Sequence, residues 1–364
     1  MNLATAEARP AAAQGIRVML CDDSAVARGA LARLLAQEPR IRVTAQAADG
    51  QKAIAALAAM PAGERPDVLL LDLEMPVMDG LTALPQILRA APGVQVIVAS
   101  ALSQRGAAAT MQALRAGAVD YVPKPTAAKG GMADPRFGEE LRAKVTGWAR
   151  QRRRQARPAP LRPAPIPRAA PAPFAIAIGS STGGPQALAA LVGALTRPPP
   201  VPILVVQHMP HGFTALLADH LDRLGRLPCA EAKDGEKLLP GHLYLAPGDR
   251  HLLVRGAPGA LVAQISDGPA ENFCRPAMDP LLRSLVAACG GRLLAAILTG
   301  MGHDGLEGCH ALARAGGVVL AQDEASSVVW GMPGAVARAG IVSALAPPEE
   351  IGSRLLAACA AARA

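Results

Sequence analysis

Residues 67–80 read DVLLLDLEMPVMDG. Val68–Leu71 is an uninterrupted apolar run of strand length, and a carboxylate, Asp72, closes it. The stretch that follows, Leu81–Ala90, has helical length and composition. The same unit repeats on both sides. Candidate strands at Ile16–Cys21, Arg40–Ala45, Val94–Ala99 and Asp120–Val122 alternate with helical stretches at Ser24–Gln37, Gln51–Ala59 and Ala107–Ala116. Five such runs separated by helices predict a doubly wound parallel sheet, because a parallel crossover needs a helix and covers the strands on both faces.

Residues 150–173, RQRRRQARPAPLRPAPIPRAAPAP, hold seven Arg, seven Pro and no acidic residue. Proline removes backbone donors and disfavours helix, and the Pro-Ala steps favour an extended spacer, so this stretch is expected to link two domains and to pack no core. The plan that follows is a first domain over 16–140, a linker over 141–173 and a second domain over 174–360. At roughly 150 residues per domain, the chain length suits it. Beyond the linker the alternation resumes, with strands at Ala175–Ile178, Ile203–Val206, Leu243–Ala246 and Leu293–Leu298. Leu252–Ile265, interrupted by Arg255-Gly256-Ala257-Pro258-Gly259, reads as an antiparallel hairpin. The expected class is α/β: two doubly wound parallel-sheet domains, the second with some antiparallel strands.

The formal charge of +8 invites a nucleic-acid or membrane-surface reading. Its distribution removes the invitation. Residues 1–149 are net +2, residues 150–173 net +7 and residues 174–364 net −1, so neither folded segment is basic. Eight aromatic residues are too few and too scattered for a base-stacking platform, and no nucleic-acid partner is expected. The six cysteines form no CxxC pair and no short metal spacing with His, which fits reduced thiols in a cytoplasmic protein. The first residues, MNLATAEARPAAAQG, lack the apolar segment of a signal peptide, and no run approaches the roughly 20 apolar residues of a membrane span.

In an open parallel sheet, ligands bind beyond the carboxyl ends of the strands. Asp22 and Asp23 follow the first strand, Asp72 the third, Ser100 the fourth and Lys124 the fifth. Converging carboxylates repel one another and call for a cation, and oxygen-only ligands suit Mg²⁺. A lysine and a hydroxyl beside a metal-bound carboxylate make a place for a phosphoryl group that one carboxylate can accept. Residues 16–140 resemble the flavodoxin-like receiver domains of response regulators through LCDDS, LLLDLEMPVMDG, VIVASA and DYVPKP, with Met75-Pro76 and Asp79-Gly80 at the turn after the acceptor. The resemblance implies that Asp72 takes phosphate from a histidine kinase. It also implies that Asp22, Asp23, Asp72 and the Glu74 carbonyl hold Mg²⁺, that Ser100 and Lys124 contact the phosphoryl group, and that Tyr121 is the switch aromatic.

The second half offers a different set. Gly179, Ser181 and Gly183 satisfy G-x-S-x-G where an apolar strand runs into a helix, a turn that exposes a serine hydroxyl. Taken alone, such a Gly/Ser turn more often binds phosphate or only closes a tight turn. A nucleophile also needs a base and a carboxylate to orient it. His208 follows the strand Ile203–Val206, and Asp304 follows Leu293–Leu298. His211 and His303 also suit the spacing, and Ser180 is the neighbouring hydroxyl; His208 is preferred because it stands at the strand end itself. The order Ser, His, Asp differs from that of ordinary α/β-hydrolases.

Residues 174–345 resemble the catalytic domain of the chemotaxis protein-glutamate methylesterases, the CheB family, through IAIGSSTGGPQAL, VVQHMPHGFT, DGEKLLPGHLYLAPGDRH, ILTGMGHDG and AQDEASSVVWGMP. The resemblance implies a triad of Ser181, His208 and Asp304, with the Met301 amide near the oxyanion. It implies hydrolysis of glutamate methyl esters on chemoreceptors, deamidation of their glutamines, and activation by a CheA-type histidine kinase, with Mg²⁺ in the receiver and no cofactor for the esterase step. The rival readings are the same catalysis in a non-motility array, and a catalytically dead receptor-binding module.

Overall fold

The computed structural model describes residues 15–100, 103–124, 134–155 and 172–361. In the first domain the strands are β1 (Ile16–Cys21), β2 (Ile41–Ala47), β3 (Val68–Asp72), β4 (Gln95–Ser100) and β5 (Asp120–Pro123). They form one parallel sheet in the order β2-β1-β3-β4-β5, as a doubly wound fold requires. The helices are α1 (Ala25–Ala36), α2 (Gly50–Ala59), α3 (Gly80–Ala90), α4 (Gln104–Arg115) and α5 (Pro135–Gln155). Ser24, Asp49, Asp79 and Ser103 begin the first four, each side chain accepting a bond from an amide of the opening turn. β3 is buried along its whole length: Leu69 and Leu71 face one core and Val68 and Leu70 the other.

The expected linker over 141–173 is corrected at its start, since α5 continues to Gln155. Leu141, Val145, Trp148 and Ala149 lie on its buried stripe. Lys144 bonds Asp120 at 3.0 Å, and the Trp148 indole donates to the same carboxylate at 3.1 Å. The Arg-rich end is docked and is not a spacer. Arg152 reaches Asp67 at 3.0 Å and the Pro66 carbonyl at 2.7 Å. Arginine is a good helix former, and the first proline of the stretch stands only at 158, so nothing stops the helix earlier. Residues 156–171 of the expected linker lie outside the described residues.

The second domain continues with β6 (Ala175–Ser180), β7 (Ile203–Gln207), β8 (Cys229–Glu231), β9 (Leu243–Leu245), β10 (His251–Ala257), β11 (Ala260–Ser266), β12 (Leu293–Ile297), β13 (Val318–Gln322) and β14 (Ala344–Ala346). Its helices are α6 (Gly184–Gly193), α7 (Phe213–Asp222), α8 (Met278–Cys289), α9 (Leu306–Arg314), α10 (Met332–Arg338) and α11 (Pro348–Ala361). Seven strands form a parallel sheet in the order β14-β13-β12-β6-β7-β9-β8, while β10 and β11 pair antiparallel as the expected hairpin. The chain leaves β6 toward β7 on one side and later returns through β12 on the other. The strand order therefore reverses at β6, which opens a crevice beyond its carboxyl end.

The domains meet along α4 and α5. α4 packs on α7, Tyr121 stacks on Phe213 with ring centroids 5.3 Å apart, and Gln186 donates to the Ala118 carbonyl at 3.0 Å. Arg150 and Gln151 donate to the backbone carbonyls of Ser327 and its neighbours at 2.8–3.3 Å. Gly147 approaches so closely that a Cβ there would collide with the Val328 carbonyl. Among the described residues no helix is long and apolar enough to cross a membrane.

Candidate active site and metal centre

The ends of β1 and β3 bring together carboxylate oxygens of Asp22, Asp23 and Asp72, all within 4.8 Å of one another. Asp22 and Asp72 are buried and Asp23 is exposed. Lys124, carried in by β5, sits 2.6 Å from Asp72 and 3.2 Å from Asp22. Burial pushes the Asp72 carboxyl above the usual carboxylate range, although Lys124 and the Glu74 amide, at 3.2 Å, pull the other way. Burial opposes the charge on Lys124, but its bond to Asp72 outweighs this and holds the ammonium above its ordinary value. Three carboxylates against one lysine leave negative charge in excess, and the all-oxygen donor set fits a hard divalent cation. Ser100 ends β4 with its hydroxyl donated to the Gly106 carbonyl at 2.9 Å, so the structure joins it to the start of α4. Glu74 lies on the following turn, and Tyr121 is buried at the domain contact.

At the crevice beyond β6, His208 and Asp304 are joined through His208 Nε2 and an Asp304 carboxylate oxygen at 2.8 Å. Ser181 follows β6, with its amide donated to the Thr299 carbonyl at 3.0 Å, and is partly exposed. The two neighbouring serines differ sharply. Ser180 is fully buried and donates to Gln207 Oε1 at 2.7 Å. Gln207 also donates to the Ser181 carbonyl at 2.9 Å and so ties the ends of β6 and β7 together. Gly300 must be glycine for this approach, since a Cβ would lie 2.8 Å from that of Ser181. Met301 follows on the same loop and is 37% exposed. His211 and His303 are exposed, whereas His208 is almost wholly enclosed.

Asp304 is heavily bonded. Its carboxylate accepts from the Met278 amide at 2.6 Å, from the Asp279 amide at 3.3 Å and from Asn272 Nδ2 at 3.0 Å. The two amides belong to the first turn of α8, where the helix dipole favours an anion. Burial alone would raise the Asp304 carboxyl; His208, Met278 and Asn272 hold it below the usual range. Burial opposes charge on His208 as well, yet Asp304 and Cys274 hold the imidazolium above its ordinary value. Cys274 Sγ lies 3.4 Å from His208 Nδ1, the nitrogen that Asp304 leaves free. Asn272 also donates to Asp279 at 2.8 Å, and burial raises the Asp279 carboxyl.

Gln207, Asn272, Cys274 and Asp279 are the members of the site that sequence reading missed. Gln207 carried a signal, as a polar side chain ending a buried strand. The other three come from the turn before α8 and from its first residues, which no strand end marks.

The CheB methylesterase family pattern matches residues 176–355, and that of the response regulator receiver domain matches residues 18–133. A protein-glutamate methylesterase/protein-glutamine glutaminase of Azospirillum brasilense is 50% identical, over 93% of this chain and 91% of its own length. One from Rhodospirillum centenum is 48% identical, over 92% of each chain. The solved CheB methylesterase catalytic domain of Thermotoga maritima is 39% identical at a TM-score of 0.50, covering 51% of this chain and 98% of its own.

Proposed function

Because the chain belongs to the CheB family of protein-glutamate methylesterases/protein-glutamine glutaminases, with a receiver domain ahead of the catalytic one, we propose that it hydrolyses glutamate methyl esters on chemoreceptors in the cytoplasm and deamidates receptor glutamines, under control of phosphorylation at Asp72. The observation that carries the catalytic assignment is the contrast at the crevice. His208 is locked to Asp304, Ser180 is committed to Gln207, and Ser181 is the partly exposed hydroxyl at the central strand end.

Asp304 fixes a proton on Nε2, so Nδ1 is the basic nitrogen. In this structure Nδ1 faces Cys274 Sγ at 3.4 Å and, among the described residues, no hydrogen bond joins it to Ser181 Oγ, so the hydroxyl and the imidazole meet when substrate is seated. Ser181 Oγ then attacks the ester carbonyl carbon and its proton passes to Nδ1. Backbone amides near Met301 meet the oxyanion, commonly the largest single contribution in acyl transfer. Collapse returns the proton to the leaving methoxide, methanol departs, and water repeats the sequence to free glutamate and Ser181. With a glutamine substrate the leaving group is ammonia.

In the receiver, Asp22, Asp23, Asp72 and the Glu74 carbonyl would hold Mg²⁺, which when bound neutralises charge on the phosphoryl oxygens. Lys124 and Ser100 would contact the phosphoryl group that a CheA-type histidine kinase places on Asp72. In the unphosphorylated chain the receiver packs beside the Ser181 turn through α4, Tyr121 and α5, and phosphorylation loosens this packing. The test is methanol release from a methylated receptor fragment with and without a small-molecule phosphodonor. Asp72→Asn is expected to keep the basal rate and lose the stimulation; a variant stimulated as fully as wild type would sink the regulatory reading.

A second variant probes the same contact from the other side. Gly147→Ala places a Cβ against the Val328 carbonyl and forces α5 away from residues 325–328. Basal methanol release is expected to rise several-fold without a phosphodonor, and a phosphodonor to add little. An unchanged basal rate would remove α5 from the inhibitory contact.

A further inference from the structure

Glu271 to Cys274 form a tight turn beside the His208–Asp304 pair. The Glu271 amide donates to the Cys274 carbonyl at 3.1 Å, and the Cys274 amide to the Glu271 carbonyl at 2.8 Å. The central residues, Asn272 and Phe273, have φ of 52° and 62°. Both angles are left-handed, a region that glycine and asparagine tolerate and that strains a bulky aromatic residue. Two of the three residues at the tip have work inside the site: Asn272 bridges Asp304 and Asp279, and Cys274 lies against His208 Nδ1. Phe273 does not. Its side chain is 89% exposed, more than any other large apolar residue described, although an aromatic ring gains most from burial.

We propose that Phe273 is a substrate-docking residue. Its ring takes an apolar side chain of the protein segment that carries the glutamyl ester, close to the ester itself. This rests on the esterase reading above and names how the substrate protein is held. The occupant is a protein segment and not a small ester, because the ring stands at the rim, one residue from the Cys274 that touches His208. An acyl group seated at Ser181 has no atoms left to offer there. A helix bearing the ester does, since its side chains three and four positions away lie about 5–6 Å along the same face. Met301, exposed on the loop after β12 that leads to Asp304, offers a second apolar side chain. Because Asn272 and Cys274 bond inward, the turn can present the ring only outward, and the strained φ at Phe273 is kept for that presentation.

The test uses the full chain with a phosphodonor, in wild type and as Phe273→Ala, Phe273→Leu and Phe273→Gly. Two rates are read: methanol release from a methylated receptor fragment, and labelling of Ser181 by a small fluorophosphonate that needs only the catalytic groups. Phe273→Ala is expected to raise KM for the receptor ester about tenfold, the worth of roughly one well-placed apolar contact, with kcat and labelling unchanged. Phe273→Leu restores most of the loss. Phe273→Gly loses docking but relaxes the backbone, and its Tm is expected to rise by about 2–4 °C. A KM within twofold of wild type in Phe273→Ala overturns the proposal. So does a parallel fall in labelling or a lowered Tm in Phe273→Gly, either of which makes the ring a support of the fold or of His208. A change of oligomeric state on substitution assigns the ring to a contact between copies of the chain and also overturns it. A wild-type chain that labels at Ser181 yet releases no methanol refutes the esterase reading itself, and this proposal with it.

Discussion

Ser181→Ala is expected to reduce methanol release from methylated receptor by about 10⁴- to 10⁶-fold while leaving the fold intact, the scale seen when a serine hydrolase loses its nucleophile. The residual rate is what oxyanion stabilisation and binding supply without a covalent step. Ser181 is partly exposed, so removing its hydroxyl is expected to change stability by less than about 1 kcal/mol. Ser180→Ala is the control, because its effects run the other way. The Ser180 hydroxyl is buried and donates to Gln207 Oε1 at 2.7 Å. Its loss leaves a buried carbonyl oxygen without that donor, at a cost of about 1–3 kcal/mol. Ser180→Ala should therefore melt several degrees lower and retain most of its chemistry. Methanol release and thermal melts on the two variants settle which hydroxyl attacks: a dead Ser180→Ala beside an active Ser181→Ala would move the nucleophile to Ser180.

The first sheet and the middle of the second were legible because β1, β3, β4, β6, β7 and β12 are buried along nearly their whole length and read as short apolar runs. β8 and β14, three residues each and partly exposed, and β13 were not read. Asp72, Lys124, Ser181 and His208 all stand at strand ends, so one rule about parallel sheets finds them together. That rule has no purchase on Asn272 and Cys274. They reach the site from a turn more than sixty residues beyond His208, and only the packing of α8 against the sheet brings them there. α5 was misread for a different reason. Arg150–Arg154 looks solvated by composition, yet Asp67, just before β3, and the carbonyls of residues 325–328 give four of its arginine and glutamine side chains specific partners. Composition reports how many charges a segment carries and says nothing about what faces them.

Asp304→Asn carries the second large effect, and its pH dependence distinguishes an orienting carboxylate from a merely structural one. In the wild type the Asp304 carboxylate bonds His208 Nε2 at 2.8 Å and, with Cys274, holds the imidazolium above its ordinary value. A base must be neutral to accept the Ser181 proton, so wild-type kcat/KM rises with pH as His208 deprotonates, and the raised pKa places that limb above about 6.5. Asparagine cannot stabilise the imidazolium that forms, and its amide can donate to Nε2, which moves the ring proton onto Nδ1, the nitrogen that must accept. Activity is expected to fall about 10⁴-fold through this wrong tautomer. The residual activity should gain its acid limb at lower pH, because the carboxylate that contributes most to raising the His208 pKa is gone and only Cys274 remains. The Met278 and Asp279 amides and Asn272 Nδ2 now meet an amide where they met a carboxylate, so some loss of stability accompanies the change. Stability alone moves no limb. A pH–rate profile of Asp304→Asn with its acid limb where the wild type has it, at whatever rate, would mean that Asp304 supports the loop and does not set the protonation of His208.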